Sequence, residues 1–228
     1  NLLIGISGLR TSSFYKSYIV DVLLSDGVVK MSDVCAKLVK EYGLHFVDVE
    51  KFKTARAGDL SERFTKFDIR LLVVSRLERE KNVELAIRAF AKAAPQNACL
   101  IIVGDGSRKG ALAELTVSEN VRDRTFFEGR QDPESYYALA DLTLVTSRYE
   151  GYGIVIIEAL AAGKPVLSTD VGIAREAGAI VATEEEFVDS LATWFKNGER
   201  GGMLKNYPYA SFADYVQAYC EDIRATAK

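Results

Sequence analysis

From Ile69 onward the sequence predicts a doubly wound parallel sheet of the α/β class, preceded by a fragment of a second domain of similar build. Two observations predict the sheet. Short runs rich in β-branched residues alternate about five times with longer runs of helical spacing, the order that builds parallel strands joined by crossover helices. The strand runs are apolar almost without interruption, as strands covered on both faces must be. A third observation, a charged and poorly periodic stretch, marks where the sheet begins.

The strands are expected at "IRLLVVS" (69–75), "ACLIIVG" (98–104), "TFFEG" (125–129), "LTLVTS" (142–147) and "KPVLST" (164–169). Between them, "NVELAIRAFAKAA", "RKGALAELTVSE", "PESYYALA" and "IVIIEALAAG" carry apolar positions at helical spacing. Asp132 and Pro133 suit a helix start, and Gly163 before Pro165 suits a helix stop. The tail adds two amphipathic helices, "TEEEFVDSLATWFKNGER" and "FADYVQAYCEDIRATAK", around the loop "GGMLKNYPYAS".

Ahead of the sheet, "NLLIGIS", "GVVKMS" and "LHFVDV" read as strands, with helices at "SSFYKSYIVDVLL" and "DVCAKLVKEYG". The expected organisation is a βαβαβ remnant over 1–52, a linker over 53–68, a ligand-binding domain over 69–200, and a loop and helix over 201–228 that pack back on the amino-terminal part. A three-stranded remnant cannot cover both of its faces alone, and the chain opens on Asn1 directly into a strand-like run. The sequence therefore reads as a piece that starts inside a longer protein.

Composition narrows the function. The 228 residues are 48% hydrophobic and 27% charged, which fits a protein with a sizeable core. A net charge of 29 − 32 = −3 argues against nucleic acid as a partner, so any phosphate must be met by a few placed cations. Cys35, Cys99 and Cys220 are odd in number and lack metal-site spacing, which fits a reducing, cytoplasmic setting with neither a disulfide framework nor a bound metal. The apolar opening is too short to span a bilayer.

In an open parallel sheet, ligands bind beyond the carboxyl ends of the strands. Ser75, Arg76 and Lys81 follow the first strand, Gly104, Asp105 and Gly106 the second, Gly129 and Arg130 the third, and Ser147 to Gly151 the fourth. Cations, glycine-containing turns and a glutamate at one rim describe a site for a ligand with phosphate and hydroxyls. Glu150 stands before the helix that begins near Gly153, and Glu158 lies within it. Eight helical residues correspond to about 80° of rotation, so both carboxylates can face one cleft. Taken singly, Glu150 reads as an exposed loop residue and Glu158 as an ion-paired one. Together with their neighbours they read as acceptors for sugar hydroxyls, with the helix amino terminus receiving a phosphate.

The segments "VSRLEREKNVELAIRAF", "LIIVGDGSRKGALAEL", "FFEGRQDPESYYALADLTLVTSRYEGYGIVIIEALAAGKPVLSTDVG" and "ARE" resemble, in this order, the carboxyl-terminal nucleotide-sugar-binding domain of the retaining glycosyltransferases of family 4, also called group 1. The similarity covers residues 69 to 182. It implies a Rossmann-like domain of the two-lobed GT-B architecture and metal-independent transfer from a UDP-, GDP- or ADP-sugar, with no further cofactor. The acceptor would be a saccharide, a lipid-linked group or a small molecule. Peripheral membrane contact and oligomeric state are left open.

By the same resemblance, Arg76 and Lys81 neutralise the donor diphosphate, Glu158 grips the ribose hydroxyls, and Glu150 stands near the transferred sugar. Gly151, Tyr152 and Gly153 form the turn that approaches sugar and phosphate, and Arg130 lies where the family lines its base pocket. Gly104, Asp105 and Gly106 complete the donor-binding set. Three departures stand out: Ser75 replaces a commoner glycine, "GIARE" replaces the family's double glycine, and no glycine-rich amino-terminal loop or catalytic-stretch histidine is present. His45, the only histidine, reads as structural.

"GDGSRK" is not a dinucleotide fingerprint, because Lys109 occupies its third glycine position and the turn follows the domain's second strand. Two alternatives remain open. One is a non-catalytic or partner-completed nucleotide-sugar-binding lobe; the other is a phosphorylase or epimerase of related two-lobed fold.

Overall fold

The computed structural model describes residues 46–198, 201–209 and 211–226. The readings made above for residues 1–45, among them two of the three early strands, His45 and Cys35, lie outside them. The chain divides into two compact units, Val49–Tyr207 and a second made of Asn1–Asp48 with Pro208–Lys228.

The larger unit is built on a six-stranded sheet in the order β3-β2-β1-β4-β5-β6. The strands are β1 (Ile69–Val74), β2 (Ala98–Val103), β3 (Thr125–Gly129), β4 (Leu142–Val145), β5 (Val166–Ser168) and β6 (Ile180–Val181). All neighbours are parallel. The order reverses beside β1, which pairs with β2 on one side and with β4 on the other, Leu71 lying opposite Leu142. This is the switch point at which a ligand crevice is expected.

The helices of this unit are α1 (Val49–Thr54), α2 (Leu60–Arg63), α3 (Val83–Ala93), α4 (Lys109–Ser118), α5 (Glu134–Leu139), α6 (Ile154–Ala161), α7 (Ala174–Ala177) and α8 (Phe187–Asn197). One core joins Leu71, Val73, Leu100 and Ile102 of the sheet to Ile87 and Phe90 of α3 and Phe187, Leu191 and Trp194 of α8. The apolar residues of α3 and α8 recur at helical spacing, which gives each helix a single buried stripe. The all-buried pattern of β2 confirms a strand covered on both sides.

Arg124 lies inside this core at 5% exposure. Its guanidinium sits 4.4 Å from the Phe90 ring centre and donates to the Pro95 carbonyl at 2.8 Å. The cation is thus held by an aromatic face and by the carbonyls that end α3.

The segment ahead of β1 differs from the sequence expectation. Residues 46–48 of "LHFVDV" are not a strand, and Val49 opens α1. Glu50 stands in its first turn and Lys51 and Lys53 in its last, a charge order that favours a helix over the period-two pattern. The stretch 53–68 is not an irregular linker, since it contains the end of α1 and all of α2. Phe52 meets the Tyr137 ring edge-on at 5.7 Å, and Phe64 and Phe67 meet Phe126 at 5.2 and 5.7 Å. Arg63 donates to both carboxylate oxygens of Glu128. Three isolated aromatic anchors and one fork hold the segment, so it carries no continuous apolar stripe.

In the smaller unit, α9 (Phe212–Thr226) packs with Phe46, whose ring lies 5.6 Å from Phe212 and 5.9 Å from Tyr215. No helix among the described residues is long and apolar enough to cross a membrane.

Candidate functional site

The crevice at the switch point is formed by the segments that leave β1 and β4. After β1 the chain makes a 3-10 turn, Arg79–Lys81, and Asn82 takes a left-handed conformation (φ 47°) to enter α3. After β4 it runs through Thr146 and Ser147 to Glu150. Two hydrogen bonds tie these segments: Arg148 N–H donates to the Glu80 carbonyl at 2.8 Å, and the Thr146 hydroxyl to the Lys81 carbonyl at 3.1 Å. Thr169, beyond β5, donates its hydroxyl to the Ser147 carbonyl. The backbone on both sides of the crevice is therefore fixed before any side chain is considered.

Within that frame Lys81 Nζ donates to Glu150 Oε1 at 2.7 Å, and the Ser147 hydroxyl donates to the same oxygen at 2.7 Å. Both charged side chains are largely withdrawn from water, at 14% and 17% exposure. They line a small pocket with Ser75, Ser147 and Val155, and the Ser75 hydroxyl is buried there without a partner among the described residues. The sequence placed Lys81 and Glu150 at one rim, and the structure brings them together.

Arg76 lies apart from them. Its side chain is 67% exposed and bonded to Glu80 at 2.8 Å. An exposed pair of this kind contributes about 0.2–1 kcal/mol, so little holds the guanidinium back from an anionic ligand.

Glu158 is held elsewhere on α6. The hydroxyl of Tyr137, a fully buried residue of α5, donates to Glu158 Oε2 at 2.8 Å. Burial pushes the Glu158 carboxyl up to about 7, only partly offset by the Tyr137 bond and by Lys51. The expectation that one cleft receives both carboxylates thus meets a structure in which Glu150 and Glu158 have separate partners.

The remaining predicted residues lie on the loops that follow β2, β3 and β4. Gly104, with φ at 142°, passes so close to the Ser75 carbonyl that a Cβ there would strike it, and its N–H donates to the Gly129 carbonyl at 2.6 Å. The Asp105 carbonyl accepts from Leu77 N–H at 3.0 Å, and its side chain accepts from Gly106 N–H at 2.9 Å. These residues lock the loops after β1 and β2 together. Gly151 and Tyr152 are half-buried, and Gly153 starts α6 in a left-handed conformation (φ 94°). The Tyr152 carbonyl accepts from Ile173 N–H at 3.0 Å, bracing this turn from the segment after β5. Arg130 is exposed just past Gly129.

Sequence reasoning gave no role to Tyr137. The available signal was a tyrosine on the apolar stripe of "PESYYALA", because a buried tyrosine hydroxyl usually requires a partner. Cys99 offers no nucleophile, since burial pushes its thiol up to about 12. Among the described residues, no group of three or more His, Cys, Asp or Glu side chains is arranged to hold a metal ion.

Residues 61–211 match the family described as glycosyl transferases group 1. The chain belongs to this family. Over 104 residues it is 36% identical to the N-acetyl-alpha-D-glucosaminyl L-malate synthase of Bacillus anthracis, a match covering 45% of this chain and 27% of that enzyme. Over 163 residues it is 28% identical to the alpha-monoglucosyldiacylglycerol synthase of Streptococcus pneumoniae, covering 63% of this chain and 37% of that one. The chain thus spans well under half the length of these relatives.

Among solved group 1 folds, the carboxyl-terminal domain of LpcC from Francisella tularensis superimposes with a TM-score of 0.58 at 16% identity, covering 79% of this chain and 97% of that domain. The Anabaena protein HepE, solved in complex with UDP-glucose, superimposes with a TM-score of 0.62 at 23% identity, covering 79% of this chain and 55% of that one. At these identities the likeness establishes the fold, a Rossmann-like lobe of the GT-B type.

Proposed function

We propose that this lobe binds a nucleotide-diphosphate sugar and that the whole protein transfers the sugar to an acceptor with retention of configuration, without a metal ion, in the cytoplasm. The observation that carries the reading is the Lys81–Glu150 pair at the switch point, a cation and a carboxylate contributed by separate crossovers and largely shielded from solvent. A shielded cation has a stronger electrostatic effect than an exposed one, and negative charge grows on the diphosphate as the sugar leaves. Lys81 meets that charge, the N–H groups that open α6 add to it, and Arg76 releases its weak surface pair to join them. Glu150 and Ser147 then face the sugar, Glu158 takes a ribose hydroxyl, and Arg130 with Gly104 to Gly106 borders the base and phosphate.

A second reading follows from the chain's short span against its relatives, 27% of one and 37% of the other. In that reading the lobe binds donor but needs a partner segment to complete the acceptor side. Calorimetry with UDP, GDP and ADP, followed by a transfer assay on the chain alone, tests both. Binding of a nucleotide diphosphate that is weakened about fivefold or more in Lys81→Ala supports the site. Binding without turnover favours the partner-completed lobe, and no binding of any of the three removes both readings.

A further inference from the structure

Glu158 is partly buried and anchored through one oxygen only. Tyr137 donates to Oε2 at 2.8 Å, and Oε1 carries no hydrogen bond among the described residues. Tyr137 is itself immobilised: it is fully buried, and Phe52 of α1 packs edge-on against its ring at 5.7 Å. A rigid donor thus selects one orientation of a carboxylate that a flexible side chain would otherwise sample.

We propose that Tyr137 is the positioning residue for Glu158, holding Oε2 so that Oε1 is left as the acceptor for a ribose hydroxyl of the donor nucleotide. This rests on the reading of Glu158 given above and adds the residue through which it works. The hydroxyl also sets the charge on the glutamate. Burial pushes the carboxyl up to about 7, with Asp132 and Glu134 adding to the rise, while the Tyr137 bond and Lys51 of α1 oppose it. Lys51 itself pairs with Glu134, so its charge is shared between the two carboxylates. The tyrosine hydroxyl is therefore the larger of the two influences that oppose the rise.

The test is a double-mutant cycle on nucleotide affinity. UDP, GDP and ADP are titrated calorimetrically into wild type, and the tightest is carried into Tyr137→Phe, Glu158→Gln and the double variant between pH 6 and 9. Because the terminal phosphate titrates equally in all four proteins, differences from Glu158→Gln isolate the carboxyl. Wild-type affinity should rise with pH through about 7 relative to Glu158→Gln. In Tyr137→Phe the midpoint should move up by about one pH unit, the equivalent of one charged hydrogen bond, and affinity at pH 7 should fall about fivefold. In the Glu158→Gln background the same tyrosine change should have no effect.

An equal loss from Tyr137→Phe in both backgrounds, or an unmoved midpoint, overturns the inference while Glu158 keeps its role. Unchanged affinity in Glu158→Gln removes the role of Glu158 itself. Should Tyr137→Phe not fold, 3-fluorotyrosine at position 137, a stronger donor, should shift the midpoint downward, and an upward or absent shift overturns the inference equally.

Discussion

Lys81 and Glu150 are 69 residues apart in the chain and share a 2.7 Å hydrogen bond where the sheet order reverses. Each supplies the other's counter-charge in a place where water reaches neither well. Removing Lys81 leaves Glu150 with Ser147 as its one remaining side-chain donor among the described residues. Lys81→Ala is expected to cost about 1–3 kcal/mol of nucleotide-diphosphate affinity, the scale of a charged hydrogen bond. Calorimetry checks this, and an unchanged dissociation constant would remove Lys81 from the site.

Glu150→Gln keeps the shape of the side chain and removes its charge. If Glu150 acts on the sugar and not on the nucleotide, turnover of the complete enzyme should fall by tenfold or more while nucleotide-diphosphate affinity changes less than threefold. Steady-state rates beside calorimetry separate the two, and a normal rate would count against the assignment.

Glu158 leaves a signature in stability against pH. Its carboxyl rises from 4.5 to about 7 on folding, so the native state holds a proton that the unfolded chain has lost. The contribution is fully present below pH 4.5 and disappears as pH rises through about 7, amounting to roughly 3 kcal/mol across that window. Glu158→Gln, neutral throughout, should keep a constant offset from wild type below pH 4.5, gain on it as pH rises through about 7, and show its greatest advantage above pH 8. Parallel melting curves for the two proteins between pH 5 and 8 would contradict the buried carboxyl.

Gly104→Ala should be among the most damaging single-methyl additions. The new Cβ meets the Ser75 carbonyl, and the φ of 142° is one that alanine avoids. A loss of more than about 3 kcal/mol in denaturant unfolding is expected, with nucleotide affinity falling alongside because the β1 and β2 loops separate.

Arg124→Ala tests the buried cation. The change removes the stack on Phe90 and the bond to the Pro95 carbonyl, at an expected cost of about 2–4 kcal/mol in denaturant unfolding with nucleotide binding intact. A cost below 1 kcal/mol would show that water replaces the guanidinium without penalty.

The central strands β2 and β4 were legible because burial on both faces leaves an apolar run that little else produces. β6 was not, because a two-residue strand at 180–181, one residue of which is exposed, has no pattern to read. The alternation in "LHFVDV" imitated a strand, while the decisive signal, acid at the front of α1 and bases at its back, lay just downstream. The same reasoning applies to the site. Lys81 and Glu150 could be placed because both follow strand ends that converge. The pairing of Tyr137 with Glu158 depends on how α5 and α6 are rotated against each other, and neither helix alone encodes that. Arg76 has acidic neighbours at positions 78 and 80, and only the 3-10 turn decides that Glu80 takes it.

Phe52, Phe64 and Phe67 also govern where the chain can be cut. A shortened gene product opening at Ile69 would begin neatly on the first strand but would strip the aromatic cover from Tyr137 and Phe126, exposing surface worth roughly 1.5–3 kcal/mol for each ring lost. The compact unit that keeps the sheet together with this aromatic cover therefore opens at Val49, twenty residues upstream of the boundary that strand assignment alone would choose.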